Sequence, residues 1–239
     1  FLSWKTMFEV ANEYDVTIVS EIGYQNRCVV IVDNFYKDPD SVRDFCLSSP
    51  KYSREDKPWL VGGLCGTRVL VETPEVRECL KKTFTDFVSI KNLWLEEHNQ
   101  EQWDKNWNRT NFMCNVMNDE SMGKFPMLPH QDSFDVQYGA VIYLNTPEEC
   151  AGGTDFYSYM GKTTLDVPKD GGLMMWQKNT EGITTEEWVK GKDNRWKVEF
   201  EAEMKYNRMV LYEASILHMQ NWKEGMFPTY DRINQVFFL

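Results

Sequence analysis

The sequence predicts a mainly β protein with flanking helices, of the sandwich or jelly-roll kind, on three features. From residue 109 onward, strand-length apolar runs recur at 109–117, 139–145, 152–159, 171–176, 208–214 and 232–239, separated by Gly, Pro and Asn. The two clear helical patterns stand ahead of these runs. A load of 14 Phe, 11 Tyr and 9 Trp in 239 residues requires a packed interior.

Each element has a local reason. The β-branched stretches "DVTIVSEI" (15–22) and "CVVIVDNF" (28–35) read as strands, and "DPDSVRDFCLSS" (38–49) opens with Asp and Pro as a helix start. A second helix spans 73–89, with Thr73 as N-cap, Pro74 at the first helical position, and Val76, Leu80, Phe84 and Phe87 on one face. Residues 92–110 are polar with interleaved Trp, and His98 stands there among Glu96, Glu97 and Glu101 as a solvated surface histidine. The charged segment 177–207 reads as an insertion that closes over a pocket or extends the surface. No linker or internal repeat divides the chain, so one domain over 1–239 is expected, with 1–109 as supporting strands and helices and 110–239 as the core. The supporting elements should pack outside that core.

Composition narrows the function classes. The formal charge is −11, from 26 Lys+Arg against 37 Asp+Glu, and no basic block occurs, which argues against duplex nucleic acid while leaving a single base open. No apolar run approaches the roughly 20 residues of a membrane span. The six cysteines (28, 46, 65, 79, 114 and 150) are scattered with no C-x-x-C pair, the pattern of reduced thiols in a cytoplasmic protein. Neither a phosphate-binding fingerprint nor a G-x-S-x-G elbow is present, and Gly152 and Gly153 read as turn or close-packing residues.

The chain has only three histidines, and one of them lies in "PHQDSF" (129–134). On a strand, residues i and i+2 share a face, so His130 and Asp132 would stand about 6–7 Å apart and could converge on one ion. They could equally be two polar residues on a strand; a metal needs a third ligand, and His218 is the remaining candidate. Two imidazoles and a carboxylate on one face leave coordination positions open and suit non-haem Fe(II), whereas a structural zinc site calls for cysteines and a fourth protein ligand.

The ordered set "HQD" (130–132), "VIYLN" (141–145), "GGTDF" (152–156), "LH" (217–218) and "RINQVFF" (232–238) resembles the 2-oxoglutarate- and Fe(II)-dependent dioxygenase superfamily, in its prolyl-hydroxylase-like branch. The resemblance covers about residues 110–239; more weakly, "VVIVDNFYKDPDSVRDF" resembles the N-terminal part of small bacterial and phage members. It implies a double-stranded β-helix (jelly roll, cupin-like) in which His130, Asp132 and His218 hold Fe(II). Arg232 would then pair with the distal carboxylate of 2-oxoglutarate, with Tyr143 assisting through its hydroxyl. The implied activity is hydroxylation or oxidation of a C–H bond in a small molecule or peptide side chain. Two departures concern the co-substrate: Arg232 lies further beyond His218 than the family's spacing, and Asn234 stands where many members have Ser or Thr, though an amide still donates a hydrogen bond. Two rival expectations are a catalytically inactive jelly-roll metal-binding or interaction protein, and a cupin-like metalloenzyme that does not use 2-oxoglutarate. Trp176 and Trp222 are expected in the core, or else lining a pocket.

Overall fold

In the computed structural model, the described residues are 4–22, 27–52, 67–69, 74–89, 99–109, 113–124, 129–132, 135–159 and 196–239. The helices are α1 (Trp4–Met7), α2 (Pro39–Ser48), α3 (Pro74–Ser89), α4 (Gln100–Arg109) and α5 (Asp119–Lys124). The strands are β1 (Asp15–Ile22), β2 (Arg27–Asp33), β3 (Thr67–Val69), β4 (Met113–Met117), β5 (Tyr138–Tyr143), β6 (Gly153–Tyr159), β7 (Trp196–Glu203), β8 (Met209–Glu213), β9 (Leu217–Asn221) and β10 (Arg232–Phe238). Two antiparallel sheets result: a seven-stranded one in the order β1-β2-β8-β5-β10-β4-β3 and a three-stranded one in the order β7-β6-β9. The protein is thus mostly β.

Alternation along the strands of the large sheet builds two cores. Val30 and Val32 of β2, Met209 and Leu211 of β8, and Ile142 of β5 face the helices, where Val42, Leu80, Phe84, Trp103 and Trp107 meet them. Their alternates Val29, Ile31, Val210, Tyr212, Val141 and Tyr143 face the small sheet and pack with Phe156 and Ala202. A strand buried on both faces needs apolar residues at both parities, which is why β2 reads as a continuous run rather than an alternating one. Helix α2 begins as expected: the Asp38 carboxylate accepts from the Ser41 amide at 3.1 Å, and Pro39 occupies the first turn.

Several expectations are corrected. β1, β2 and β3 do not pack outside the core; they extend the large sheet at its two edges, where antiparallel pairing satisfies backbone groups that packing alone would leave open. Residues 100–109 are not a polar surface stretch or the start of a strand but helix α4, which buries Trp103 and Trp107 completely; of the expected strand at 109–117, Met113–Met117 form β4 and 110–112 lie outside the described residues. The charged segment 177–207 is not wholly an insertion, since its last part supplies β7, paired along its length with β6, while 177–195 lie outside the described residues. The expected strand at 171–176, His98 and Trp176 also lie outside them. Cys46 is buried and Cys28 and Cys150 are half-buried, all three as free thiols; burial, with Glu213 beside Cys28 and Glu149 near Cys150, pushes both half-buried thiols up from their ordinary range. Among the described residues no helix is long and apolar enough to cross a membrane.

The glycine pair at the start of β6 has the packing role expected of it. Gly152 has φ +66, and a Cβ there would lie 2.0 Å from the Asn221 carbonyl at the end of β9. The Gly152→Ala variant is expected to lose about 3 kcal/mol or more of stability, from the left-handed backbone together with a clash against main chain. Its thermal midpoint checks this, and a midpoint within a degree or two of the parent would refute it.

Candidate metal centre

His218 is the second residue of β9, held on one side by its pairing with Phe156 of β6. On its other side stands His130, which forms an isolated antiparallel bridge: the His130 amide donates to the His218 carbonyl at 3.0 Å, and the His218 amide donates to the His130 carbonyl at 2.9 Å. Directly opposed residues of an antiparallel pair project to one side, so the two imidazoles come together, with ring centroids 4.5 Å apart. Asp132 follows, its amide donating to the Ala214 carbonyl at 2.9 Å. His130 and Asp132 therefore share a side, although only a single bridge and no regular strand places them there.

The ligand atoms of His130, Asp132 and His218 all lie within 4.8 Å of one another. His218 Nδ1 is 2.8 Å from the Ile216 carbonyl, which fixes the tautomer that carries its proton on Nδ1 and turns Nε2 toward Asp132 Oδ1, 3.6 Å away. Burial of His218 favours its neutral form, but the neighbouring Asp132 carboxylate and the Ile216 carbonyl outweigh burial and raise the imidazole above its ordinary value. A cation in place of the proton would satisfy the same carboxylate. With two imidazole nitrogens and a carboxylate oxygen converging from a largely buried position, the donor set fits a divalent transition metal.

A cavity of about 120 Å³ is lined by all three residues and also by Arg232, Asn234 and Asn115. Arg232 opens β10 and is only 2% exposed. Its guanidinium carbon lies 5.8 Å from the centre of the Tyr143 ring. Asn234, two residues along the same face, accepts from Asn115 Nδ2 at 3.0 Å. Asn115 Oδ1 is buried with no hydrogen-bond partner among the described residues. Tyr143 differs from expectation: it is fully buried, its hydroxyl is engaged with Thr154 Oγ1 at 2.6 Å, and burial raises its pKa. It stands behind Arg232 and Thr154, and does not itself line the cavity.

Three residues escaped the sequence. Tyr212 of β8 lines the cavity and leans on His218, ring centroids 4.6 Å apart. It can do so because its cross-strand partner is Gly139, where a Cβ would lie 2.7 Å from the tyrosine ring. Asn115 is a lone polar residue in the run "FMCNVM" (112–117), a faint signal. Asp119 accounts for the long spacing between His218 and Arg232, since the extra residues form a loop that it fastens. Its carboxylate accepts from Trp222 Nε1 at 2.8 Å, the Gly225 amide at 2.9 Å and the Phe227 amide at 3.0 Å. Trp222 is accordingly half-buried and tethered, not fully in the core. Burial pushes the Asp119 carboxyl up, but the three donors outweigh that and hold it below its ordinary value. The stabilisation is present above the carboxyl's unfolded range and is lost on acidification through its lowered folded value. Asp119→Ala is expected to cost roughly 1–2 kcal/mol, discounted for solvent screening. Hydrogen exchange should show the change at the 222–227 amides; unaltered protection there would count against the clasp.

A model of the Family of unknown function (DUF6445) matches residues 14–231, and the chain belongs to that family. No curated protein matches it.

Proposed function

We propose that this DUF6445 protein is an Fe(II)- and 2-oxoglutarate-dependent oxygenase that hydroxylates or otherwise oxidises a C–H bond of a small molecule or peptide side chain. The observation that carries the proposal is the single cavity shared by the His130, Asp132 and His218 triad and the buried Arg232. A metal held by three side chains keeps positions for ligands, and a buried guanidinium in the same space meets a carboxylate with two parallel hydrogen bonds.

The path of the chain supports a double-stranded β-helix. From β4 the chain crosses to the His130 bridge beside β9, returns to β5, crosses to β6 and β7, returns to β8, crosses to β9 and ends in β10. This winding between two sheets supports the jelly-roll reading, with the candidate ligands on the small sheet and Arg232 on the large one.

Bound here, Fe(II) and 2-oxoglutarate would supply the oxidising power, with succinate and carbon dioxide as co-products. The chain's part is to orient and to exclude water. The Ile216 carbonyl fixes the His218 tautomer, Tyr212 and Phe156 wall the imidazole, and Arg232 with the Asn234 amide would hold the distal carboxylate. The test is direct: full-length protein with Fe(II) in air should convert 2-oxoglutarate to succinate, even slowly without substrate. Binding of iron without any binding of 2-oxoglutarate would defeat the proposal and favour a metal-binding protein of another kind.

A further inference from the structure

The three candidate ligands come from two distant stretches of chain, and the turn at 214–216 serves both through three consecutive carbonyls. The Ala214 carbonyl accepts from the Asp132 amide at 2.9 Å, the Ser215 carbonyl from Gln131 Nε2 at 3.0 Å, and the Ile216 carbonyl from His218 Nδ1 at 2.8 Å. The turn is itself fastened: the Ala214 amide donates to the Gln137 carbonyl at 2.9 Å, and the Ile216 amide to the Glu213 carbonyl at 3.0 Å. It is a fixed frame against which the 130–132 stretch can be set.

That stretch needs setting. His130 is held by its bridge to His218, but the bridge is isolated, and Asp132 lies two residues beyond it, outside any regular strand. Gln131 stands between the two ligands and is buried at 4% exposure. Alternation turns its side chain away from the side that His130 and Asp132 share, toward Ser215. The orientation of its amide is determined, because a carbonyl oxygen only accepts and so must meet the NH2. At a buried position, taking that donor away leaves the Ser215 carbonyl without it and loosens the backbone that carries Asp132.

Resting on the metal-centre reading, we propose that Gln131 is a positioning residue for the metal. It would touch neither metal nor co-substrate; through Ser215 it holds Asp132 where its carboxylate and the two imidazoles converge, before a metal arrives. A ligand held only loosely must be ordered when the metal binds, and groups that orient ligands from outside the coordination sphere are worth about 10–100-fold in affinity for that reason.

Gln131→Met keeps the length of the side chain and removes the donor. Equilibrium titration of the full-length protein with Co(II) should show an affinity about 10–100-fold below the parent's. The visible absorption of bound Co(II) should also weaken toward that of the hydrated ion, as water replaces a carboxylate no longer held in place. A general loss of stability would not change that spectrum at saturation. The parent supplies a measurement that needs no variant: in the metal-free protein the Gln131 side-chain NH2 protons should already exchange slowly, and Zn(II) should leave them nearly unchanged. A parent-like Co(II) spectrum in Gln131→Met, whatever its affinity, would overturn the inference alone. So would NH2 protons that become protected only when Zn(II) binds. A parent that binds neither Co(II) nor Zn(II) would remove the metal-centre reading and the inference with it.

Discussion

The Asp132→Ala variant is expected to lose metal binding by more than about a hundredfold. Removing a partner one shell away from a metal already costs 10–100-fold, and Asp132 would contribute the only carboxylate of a three-residue set. The metal-free protein should show a second effect. In the parent, burial lowers the His218 pKa, and the Asp132 carboxylate, 3.6 Å from Nε2, more than restores it. Without that carboxylate, burial dominates and the imidazole should titrate below its ordinary value. The raised pKa in the parent stabilises the metal-free fold fully below the unfolded value, and this contribution is lost as pH rises through the folded one. Metal affinity runs the opposite way, falling with acidification as ligand nitrogens take up protons. Equilibrium binding of Fe(II) or Co(II) and an NMR titration of His218 check the two effects. Unchanged metal affinity in Asp132→Ala would end the metal-centre assignment.

Arg232→Ala should leave metal affinity within a few-fold of the parent while weakening 2-oxoglutarate by about 2–5 kcal/mol, the range for breaking a buried charge-assisted pair. That corresponds to roughly thirtyfold to several thousandfold in dissociation constant. Arg232→Lys should recover only part of the loss, because an ammonium cannot reproduce the planar two-point contact. A variant that consumes 2-oxoglutarate with the parent's KM would place the carboxylate anchor elsewhere. Parallel loss of metal and 2-oxoglutarate binding would instead mark Arg232 as a structural residue, since at 2% exposure its removal leaves a void beside Tyr143 and Met117.

The helices and the site were not equally legible. Helix α3 follows from Pro74 at its first position and the spacing of Leu80, Phe84 and Phe87, and all three of those apolar residues are buried. Helix α4 was hidden because its ten residues are polar on average and expose only Trp103 and Trp107 to the core; that stripe is too narrow to stand out beside so many charged neighbours. Strand β7 was hidden for a related reason. Its residues other than Ala202 are half-exposed or exposed, and its pairing with β6, not its own apolar content, makes it a strand.

What the sequence determined by itself was the set of candidate ligands and the arginine: three histidines, one of them two residues from an aspartate, and an Arg heading an apolar terminal strand. Residue type and i, i+2 spacing are enough for that, because they act within a few residues of chain. The tertiary structure alone decided what surrounds them. His130 and His218 face each other through a bridge between segments far apart in sequence, so their approach depends on which strand edge was left unpaired. Tyr143 and Tyr212 both sit in apolar strand runs, yet Thr154 binds the hydroxyl of the first, while Gly139 lets the ring of the second lie over its backbone and reach the cavity. Which tyrosine faces the site is set by cross-strand register, and register is fixed only when distant strands hydrogen-bond.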